Sequence, residues 1–327
     1  MMGTDVKKVL VTGGAGFIGS NLVDALLLVG HNVRVADNFS TGLHQFVNHH
    51  KSTPALEIVE VDLFDERKCN QVLEGCDVVY HLSANADVRF GWQNPLRDTQ
   101  QNLVVTQNLL EACRKQGVRR FIFSSTGSVY GKTQQIPTPE NCAFPTQTSL
   151  YAASKLAAEG LINAYAEADF IDATIFRFVS ILGRRYTHGH VFDFVKQLLS
   201  DPKHLKVLGD GSQTKSYLHV DDCCAALLQV INNAPKLDIF NLGTNETITV
   251  KQSIGIICKS LNCDPAIEYA GGTEGWIGDN PLIFLDTTSA RSTGWVSKRT
   301  ISESIQETVD WLASNDWVFH LRGQQVI

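Results

Sequence analysis

Tyr151 and Lys155 stand four residues apart in Tyr151-Ala-Ala-Ser-Lys155, a spacing that puts a phenol and an ammonium one turn apart on one helix face. The ammonium can lower the phenol's pKa and hold a ribose, while the phenolate takes the proton of an alcohol as hydride leaves carbon. Far upstream, Gly13, Gly16 and Gly19 recur at every third position in Val9-Leu-Val-Thr-Gly-Gly-Ala-Gly-Phe-Ile-Gly19. They follow a short apolar run and open a helical pattern. Glycines at such a junction let the chain turn tightly and bring backbone donors and a helix N-terminus to a pyrophosphate. Together the two motifs predict hydride chemistry on an alcohol or ketone with a bound dinucleotide.

The next strand pattern, Asn32-Val-Arg-Val-Ala-Asp37, ends in a carboxylate placed to accept from the adenosine ribose diol. A carboxylate there repels a 2′-phosphate, so NAD is preferred over NADP. Asp62, followed by Leu63, is a candidate adenine-side contact, with a surface cap as the plainer reading. Thr126 ends the run Phe121-Ile-Phe-Ser-Ser125, where a hydroxyl can share a hydrogen bond with a substrate oxygen; Ser125 and Ser128 are its rivals. His81 closes another apolar run and reads as a structural hydrogen-bonding residue. The ten histidines show no metal-ligand spacing, and no metal is expected.

These residues need a scaffold. Lys8–Thr12, Asn32–Asp37, Leu56–Val61, Val78–Leu82, Arg120–Ser125, Asp172–Val179 and Leu237–Leu242 read as strands, with helices over 19–30, 100–116 and roughly Tyr151–Ala168. That alternation predicts an α/β fold, a Rossmann-type parallel sheet with helices on both faces, plus a smaller discontinuous C-terminal lobe. The expected division is 1–179 with 236–249 for the dinucleotide domain, and 180–235 with 250–327 for the substrate domain. The substrate lobe carries the more Gly-rich loops, including Leu208-Gly-Asp-Gly-Ser212.

The 327 residues suffice for such a fold, and a net charge of −6 gives no general attraction for nucleic acid or an anionic membrane. No apolar run approaches the ~20 residues that span a bilayer. The opening Met1–Lys8 lacks a secretory pattern, and the eight cysteines contain no CxxC pair. Reduced thiols in a cytoplasmic enzyme are expected.

The motif set resembles the extended short-chain dehydrogenase/reductase family, in its nucleotide-sugar epimerase/dehydratase branch. The resemblance rests on Thr12–Gly19, Asp37-Asn38, Asp62-Leu63, His81-Leu-Ser-Ala84, Asn102, Phe123-Ser-Ser-Thr126, Val129-Tyr-Gly131, Tyr151–Lys155 and Gly209-Asp-Gly-Ser-Gln213. It implies Tyr151 as base, Lys155 as its electrostatic partner and ribose ligand, and Thr126 as the third catalytic hydroxyl. It implies NAD held by Gly13, Gly16, Phe17, Ile18, Asp37, Asn38, Asp62, Leu63, Leu82, Ser83, Ala84, Ser124, Tyr151 and Lys155. Asn102 would steady the adjoining helix, and the helices including 102–115 and 151–165 would form a homodimer's four-helix bundle.

For a nucleotide-diphosphate sugar, the resemblance implies Thr126, Ser180 and Lys215. Ser180 replaces the usual Asn and Lys215 the usual Arg, whose bidentate fork lysine lacks. Glu274 stands where many relatives carry a phosphate-binding Arg, and Arg184, Arg185 and His190 are candidates to compensate. Dehydratases of this family place an Asp-Glu pair directly after the catalytic hydroxyl, whereas this chain has Gly127-Ser128. The expectation is therefore an NAD-dependent 4-epimerase of a UDP-hexose or UDP-N-acetylhexosamine, passing through a transient 4-keto sugar. The alternatives are a nucleotide-sugar dehydrogenase, a 4-keto reductase, a dehydratase, or a non-catalytic NAD-binding sensor.

Overall fold

The computed structural model describes residues 6–85, 91–142, 146–232, 235–272 and 282–324. The strands are β1 (Lys8–Thr12), β2 (Asn32–Asp37), β3 (Leu56–Glu60), β4 (Val78–His81), β5 (Arg120–Thr126), β6 (Asp172–Phe178), β7 (Ser180–Leu182), β8 (His204–Val207), β9 (Thr214–Lys215), β10 (Tyr217–His219), β11 (Leu237–Leu242), β12 (Ile248–Thr249), β13 (Ala266–Tyr269) and β14 (Leu282–Ile283). The helices are α1 (Phe17–Leu28), α2 (Glu66–Leu73), α3 (Pro95–Asp98), α4 (Val105–Gln116), α5 (Leu150–Glu167), α6 (His190–Ser200), α7 (Val220–Gln229), α8 (Val250–Leu261), α9 (Thr288–Ser292), α10 (Ile301–Ser314) and α11 (Trp317–Gln324).

Seven strands form one sheet in the order β11-β6-β5-β4-β1-β2-β3. Short, β-branched runs such as Val9-Leu10-Val11, wholly buried, suit strands covered on both faces. On one face Leu10, Val79, Phe121, Phe123 and Ile175 pack against Leu109, Leu110 and Cys113 of α4 and Ala158 and Ile162 of α5. Strand order reverses between β1 and β4, whose parallel register sets Thr12 beside His81. The carboxyl ends of those strands are where a doubly wound sheet binds its ligand.

The chain divides into two compact units: Met1–Val129, Ser149–Arg177 and Cys224–Phe240 form the first, and Tyr130–Thr148, Phe178–Cys223 and Asn241–Ile327 the second. This division differs from the expected one in four segments, the shortest being residues 178–179, which fall in the second unit. Residues 130–148 belong to the second unit, where Tyr130 Oη donates to Asn241 Oδ1 at 2.7 Å and Asn241 Nδ2 donates to the Thr138 carbonyl at 2.9 Å. Residues 224–235 belong to the first, where Tyr80 Oη donates to the Leu227 carbonyl at 2.9 Å and Arg120 Nη2 to the Val230 carbonyl at 2.8 Å. Residues 241–249 join the second through pairing of Ile248 with Lys215 and Thr249 with Thr214.

Within the second unit, α6, α8 and α10 pack on small sheets, β10-β7, β12-β9-β14 and β13-β8. Reciprocal capping boxes, Thr249 with Gln252 and Thr300 with Glu303, fix the starts of α8 and α10. Among the described residues, no helix is long and apolar enough to cross a membrane.

Candidate active site

The glycine turn is built by close approach. Gly13 has φ +67°, and a Cβ there would lie 2.7 Å from the backbone nitrogen of Ser83; a Cβ on Gly19 would lie 2.1 Å from the Gly13 carbonyl. Only glycine lets β1 turn into α1 against the exit of β4. Gly16 precedes α1 without a side-chain cap, and no acidic residue stands in the first turn of α1, leaving the positive helix end to a ligand's anion. Phe17 and Ile18 are the first residues of α1.

Asp37 ends β2 beside this turn. Its Oδ2 accepts from the Ala15 N–H and its Oδ1 from the Phe39 N–H, each at 2.9 Å, so the carboxylate is locked to the glycine turn. Burial raises its pKa, and the two backbone N–H groups and His44 pull the other way. Asn38 closes a turn by accepting from Ser40 N at 3.1 Å. Asp62 accepts from Phe64 N at 2.9 Å, while Leu63 is buried. Leu82, Ser83 and Ala84 follow β4 as half-buried backbone.

His81 is wholly buried, and its pKa is well below the ordinary histidine value through desolvation and the Lys155 charge. Thr106 Oγ1 donates to the Asn102 carbonyl at 2.6 Å, so it accepts from His81 Nε2, 2.9 Å away. Nδ1 then accepts from Thr12 Oγ1 at 2.8 Å. This neutral ring ties the ends of β1 and β4 to α4 and fills the structural role expected of it. Asn102 lies in a π turn, Thr99–Val104, that precedes α4. Its side chain accepts from Asn85 N at 2.8 Å and donates to Ser154 Oγ of α5 at 2.9 Å, which fixes α5 against the exit of β4.

The proton-transfer residues meet on α5 and at the end of β5. Ser149 caps α5 by accepting from Ala152 N at 3.1 Å. Thr126 bonds the Tyr151 phenol, which lowers the phenol's pKa, but the larger effect of burial pushes it up to about 12. Thr126 Oγ1 also accepts from Ser128 N at 3.1 Å. Lys155 is 2% exposed; its Nζ donates to the Ser124 carbonyl at 2.8 Å and lies 4.5 Å from the centroid of the Phe123 ring. Desolvation pushes this lysine down to about 7, against the opposing pull of Glu159. Both groups are desolvated: burial outweighs the Thr126 hydrogen bond at the phenol and the Glu159 charge at the lysine.

Of the rival hydroxyls, Ser125 donates to Glu159, and Ser128 meets Thr126 through its backbone N–H; Ser124, expected to contact the cofactor, donates to the His81 carbonyl at 3.2 Å. Glu159, one turn beyond Lys155, is gripped by Arg177 of β6 through Nε at 3.1 Å and Nη2 at 2.6 Å. Both residues are buried. Sequence reasoning missed this pair, although Glu159 follows Lys155 at helical spacing and an arginine inside an apolar strand run is itself a signal for a buried carboxylate.

In the second unit, Ser180 opens β7 and pairs in register with Tyr217 of β10. Tyr217 Oη lies 3.2 Å from His190 Nδ1, and Ser253 Oγ lies 2.7 Å from His190 Nε2. Burial, with a smaller effect of the Lys215 charge, pushes His190 down to about 4. The Lys215 charge thus reaches His190, while Ser180 lies beside Tyr217 in the sheet. His190 offers hydrogen bonding rather than the positive charge expected to compensate for Glu274, which lies outside the described residues. Arg184 is paired with Asp221, and Arg185 sits in a turn at φ +65°.

Residues 9–243 match the model of the NAD dependent epimerase/dehydratase family. A UDP-glucose 4-epimerase of Mycolicibacterium smegmatis is 32% identical over 310 residues, 93% of this chain and 98% of its own. UDP-glucuronic acid decarboxylase 4 of Arabidopsis thaliana is 33% identical over 92% of this chain and 67% of its own. The crystal structure of a Thermus thermophilus UDP-glucose 4-epimerase with NAD is 30% identical, with a TM-score of 0.84 over 94% of this chain and 99% of its own. A Thermotoga maritima UDP-glucose 4-epimerase with UDP-glucose superposes with a TM-score of 0.85 at 31% identity over the same shares. The chain belongs to the NAD-dependent epimerase/dehydratase family of extended short-chain dehydrogenases/reductases. It is an enzyme of that family, and its cofactor is NAD.

Proposed function

We propose that this enzyme is a nucleotide-sugar 4-epimerase acting on a UDP-hexose or UDP-N-acetylhexosamine. The observation that carries the reading is the Thr126–Tyr151 hydrogen bond beside a buried Lys155, followed by Gly127-Ser128 and no carboxylate. NAD, once bound, supplies an acceptor that takes hydride from the sugar carbon and returns it.

Thr126 and Tyr151 bind the sugar hydroxyl, and Tyr151 removes its proton and later gives it back. Lys155, anchored by the Ser124 carbonyl, holds the nicotinamide ribose and stabilises the phenolate. The Gly13–Gly19 turn and the α1 N-terminus hold the pyrophosphate, and Asp37 with Asn38 the adenosine ribose. Asp62 and Leu63 border the adenine; Leu82, Ser83, Ala84 and Ser124 line the remaining cofactor surface. Ser180, Arg185, His190 and Lys215 engage the nucleotide diphosphate, Lys215 by charge and His190 as a neutral partner.

A 4,6-dehydration must also remove a proton beside the ketone and protonate a departing hydroxyl. Gly127 has no side chain for this, and the Ser128 hydroxyl is neutral. The uridine assignment draws on the relatives' names. All eight cysteines are free, which suits the cytoplasm, and the α4–α5 pair, bordered by half-exposed Tyr165 and a Phe170 that is 45% exposed, supports a homodimer.

Proton NMR of purified enzyme with UDP-, CDP- and GDP-sugars tests the reading. C4 epimers formed from a UDP-sugar without net NADH are expected. A released keto sugar, a pentose product or stoichiometric NADH would reassign the reaction to dehydration, decarboxylation or dehydrogenation.

A further inference from the structure

A second polar cluster lies in the first unit, away from the hydride-transfer residues in sequence and on another element. Asp24 projects from the middle of α1, while His49 and His50 lie in a single helical turn, Asn48–His50, after β2. One carboxylate oxygen, Asp24 Oδ1, is 3.1 Å from His49 Nε2 and 2.9 Å from His50 Nε2. The ligand atoms of all three residues lie within 4.8 Å of one another. Adjacent residues in a chain usually diverge, yet these imidazoles converge, with centroids 4.1 Å apart.

We propose that Asp24, His49 and His50 form a site for one divalent transition ion of the zinc class. Nitrogen and carboxylate ligands about 2.0–2.1 Å from a tetrahedral ion stand roughly 3.3 Å apart. The two observed oxygen–nitrogen separations lie within a few tenths of an ångström of that edge, and the nitrogen–nitrogen edge is within 4.8 Å, so ion binding sets the final approach of the two imidazoles. The donor set, two imidazoles and one carboxylate, suits zinc, nickel or copper and disfavours magnesium or calcium, which take oxygen ligands.

The turn is pinned for this purpose. Phe46 and Val47 beside it are buried, and His50 N donates to the Val47 carbonyl at 3.1 Å. The cluster stays reachable, since the side chains of Asp24, His50 and His49 are 24%, 26% and 43% exposed. A bound ion would fasten the connection that begins at Asp37 to α1, whose other end opens at the glycine turn. Its role is a cross-link, with water completing the coordination.

Copper(II) EPR of EDTA-treated, tag-free protein tests the site directly. One equivalent of copper should show hyperfine coupling to two imidazole nitrogens, and His49→Ala should remove one of them. Zinc should raise the melting temperature of the wild type, and Asp24→Asn and His50→Ala should each weaken zinc binding at least about tenfold. The wild-type copper signal needs no variant and therefore survives any folding defect in one. Sulfur ligation, no stoichiometric binding, or wild-type zinc affinity in Asp24→Asn and His50→Ala would overturn the proposal.

Discussion

Lys155 donates its ammonium to the Ser124 carbonyl at 2.8 Å while its charge lies 4.5 Å from the Phe123 ring centroid. Two weak partners hold a cation that burial pushes down to about 7 from 10.5. Between those values the folded chain binds fewer protons than the unfolded chain, so this group's contribution to stability rises with pH through the window from about 7 to 10.5. Lys155→Met should remove that rise. Denaturant unfolding of both proteins across pH 6–11 reads the difference, and parallel pH curves would contradict the assignment of a depressed lysine.

Tyr151→Phe should lower kcat by roughly 10²–10⁴, the range for losing a general base, with bound NAD retained. Thr126→Val removes the hydrogen bond that lowers the phenol's pKa, so ultraviolet titration should find the phenol ionising at still higher pH. Single-turnover kinetics with NAD content measured on the same samples separates lost chemistry from lost cofactor. Full activity in Tyr151→Phe would favour a binding protein.

The Glu159–Arg177 pair is buried and doubly bonded, so removing one partner leaves an uncompensated charge. Glu159→Ala should cost about 3–5 kcal/mol of stability. The double change Glu159→Leu with Arg177→Met should recover much of it. Because Glu159 raises Lys155, Glu159→Gln should move the lower edge of the lysine's stability window to lower pH, which calorimetry across pH detects.

Gly19→Ala would push a methyl group to 2.1 Å from the Gly13 carbonyl. The turn between β1 and α1 must then open, and NAD affinity should fall at least about tenfold as the backbone donors move off the pyrophosphate. Gly160→Ala, where a Cβ meets nothing within 4 Å, is the control and should leave binding unchanged. Fluorescence titration with NAD compares the two.

The main sheet was legible because its strands are short, apolar and separated by helical patterns: β1, β2 and β11 fall on the expected residues, and the others within about one residue. The glycine turn and α5 were equally legible, since local spacing defines them. The π turn at Thr99–Val104 has no local signature, and the unit boundaries missed 130–148 because contacts such as Tyr130–Asn241 span more than a hundred residues. Arg177 inside an apolar strand signals a buried carboxylate without naming its partner, and Asp24 and the two histidines His49 and His50, 25 and 26 residues away, are brought together only by folding. The lowered Lys155 was missed because a sequence shows that a cation is near a phenol but not that both are stripped of water.

The most direct test follows a label. UDP-glucose carrying deuterium at C4 is incubated with the enzyme in ordinary water, and the product is examined by NMR and mass spectrometry. Removal and return of one hydride predicts a C4 epimer that keeps its deuterium at C4, with no NADH accumulating. Deuterium lost to solvent, transferred to C6, or trapped in stoichiometric reduced cofactor would contradict 4-epimerisation.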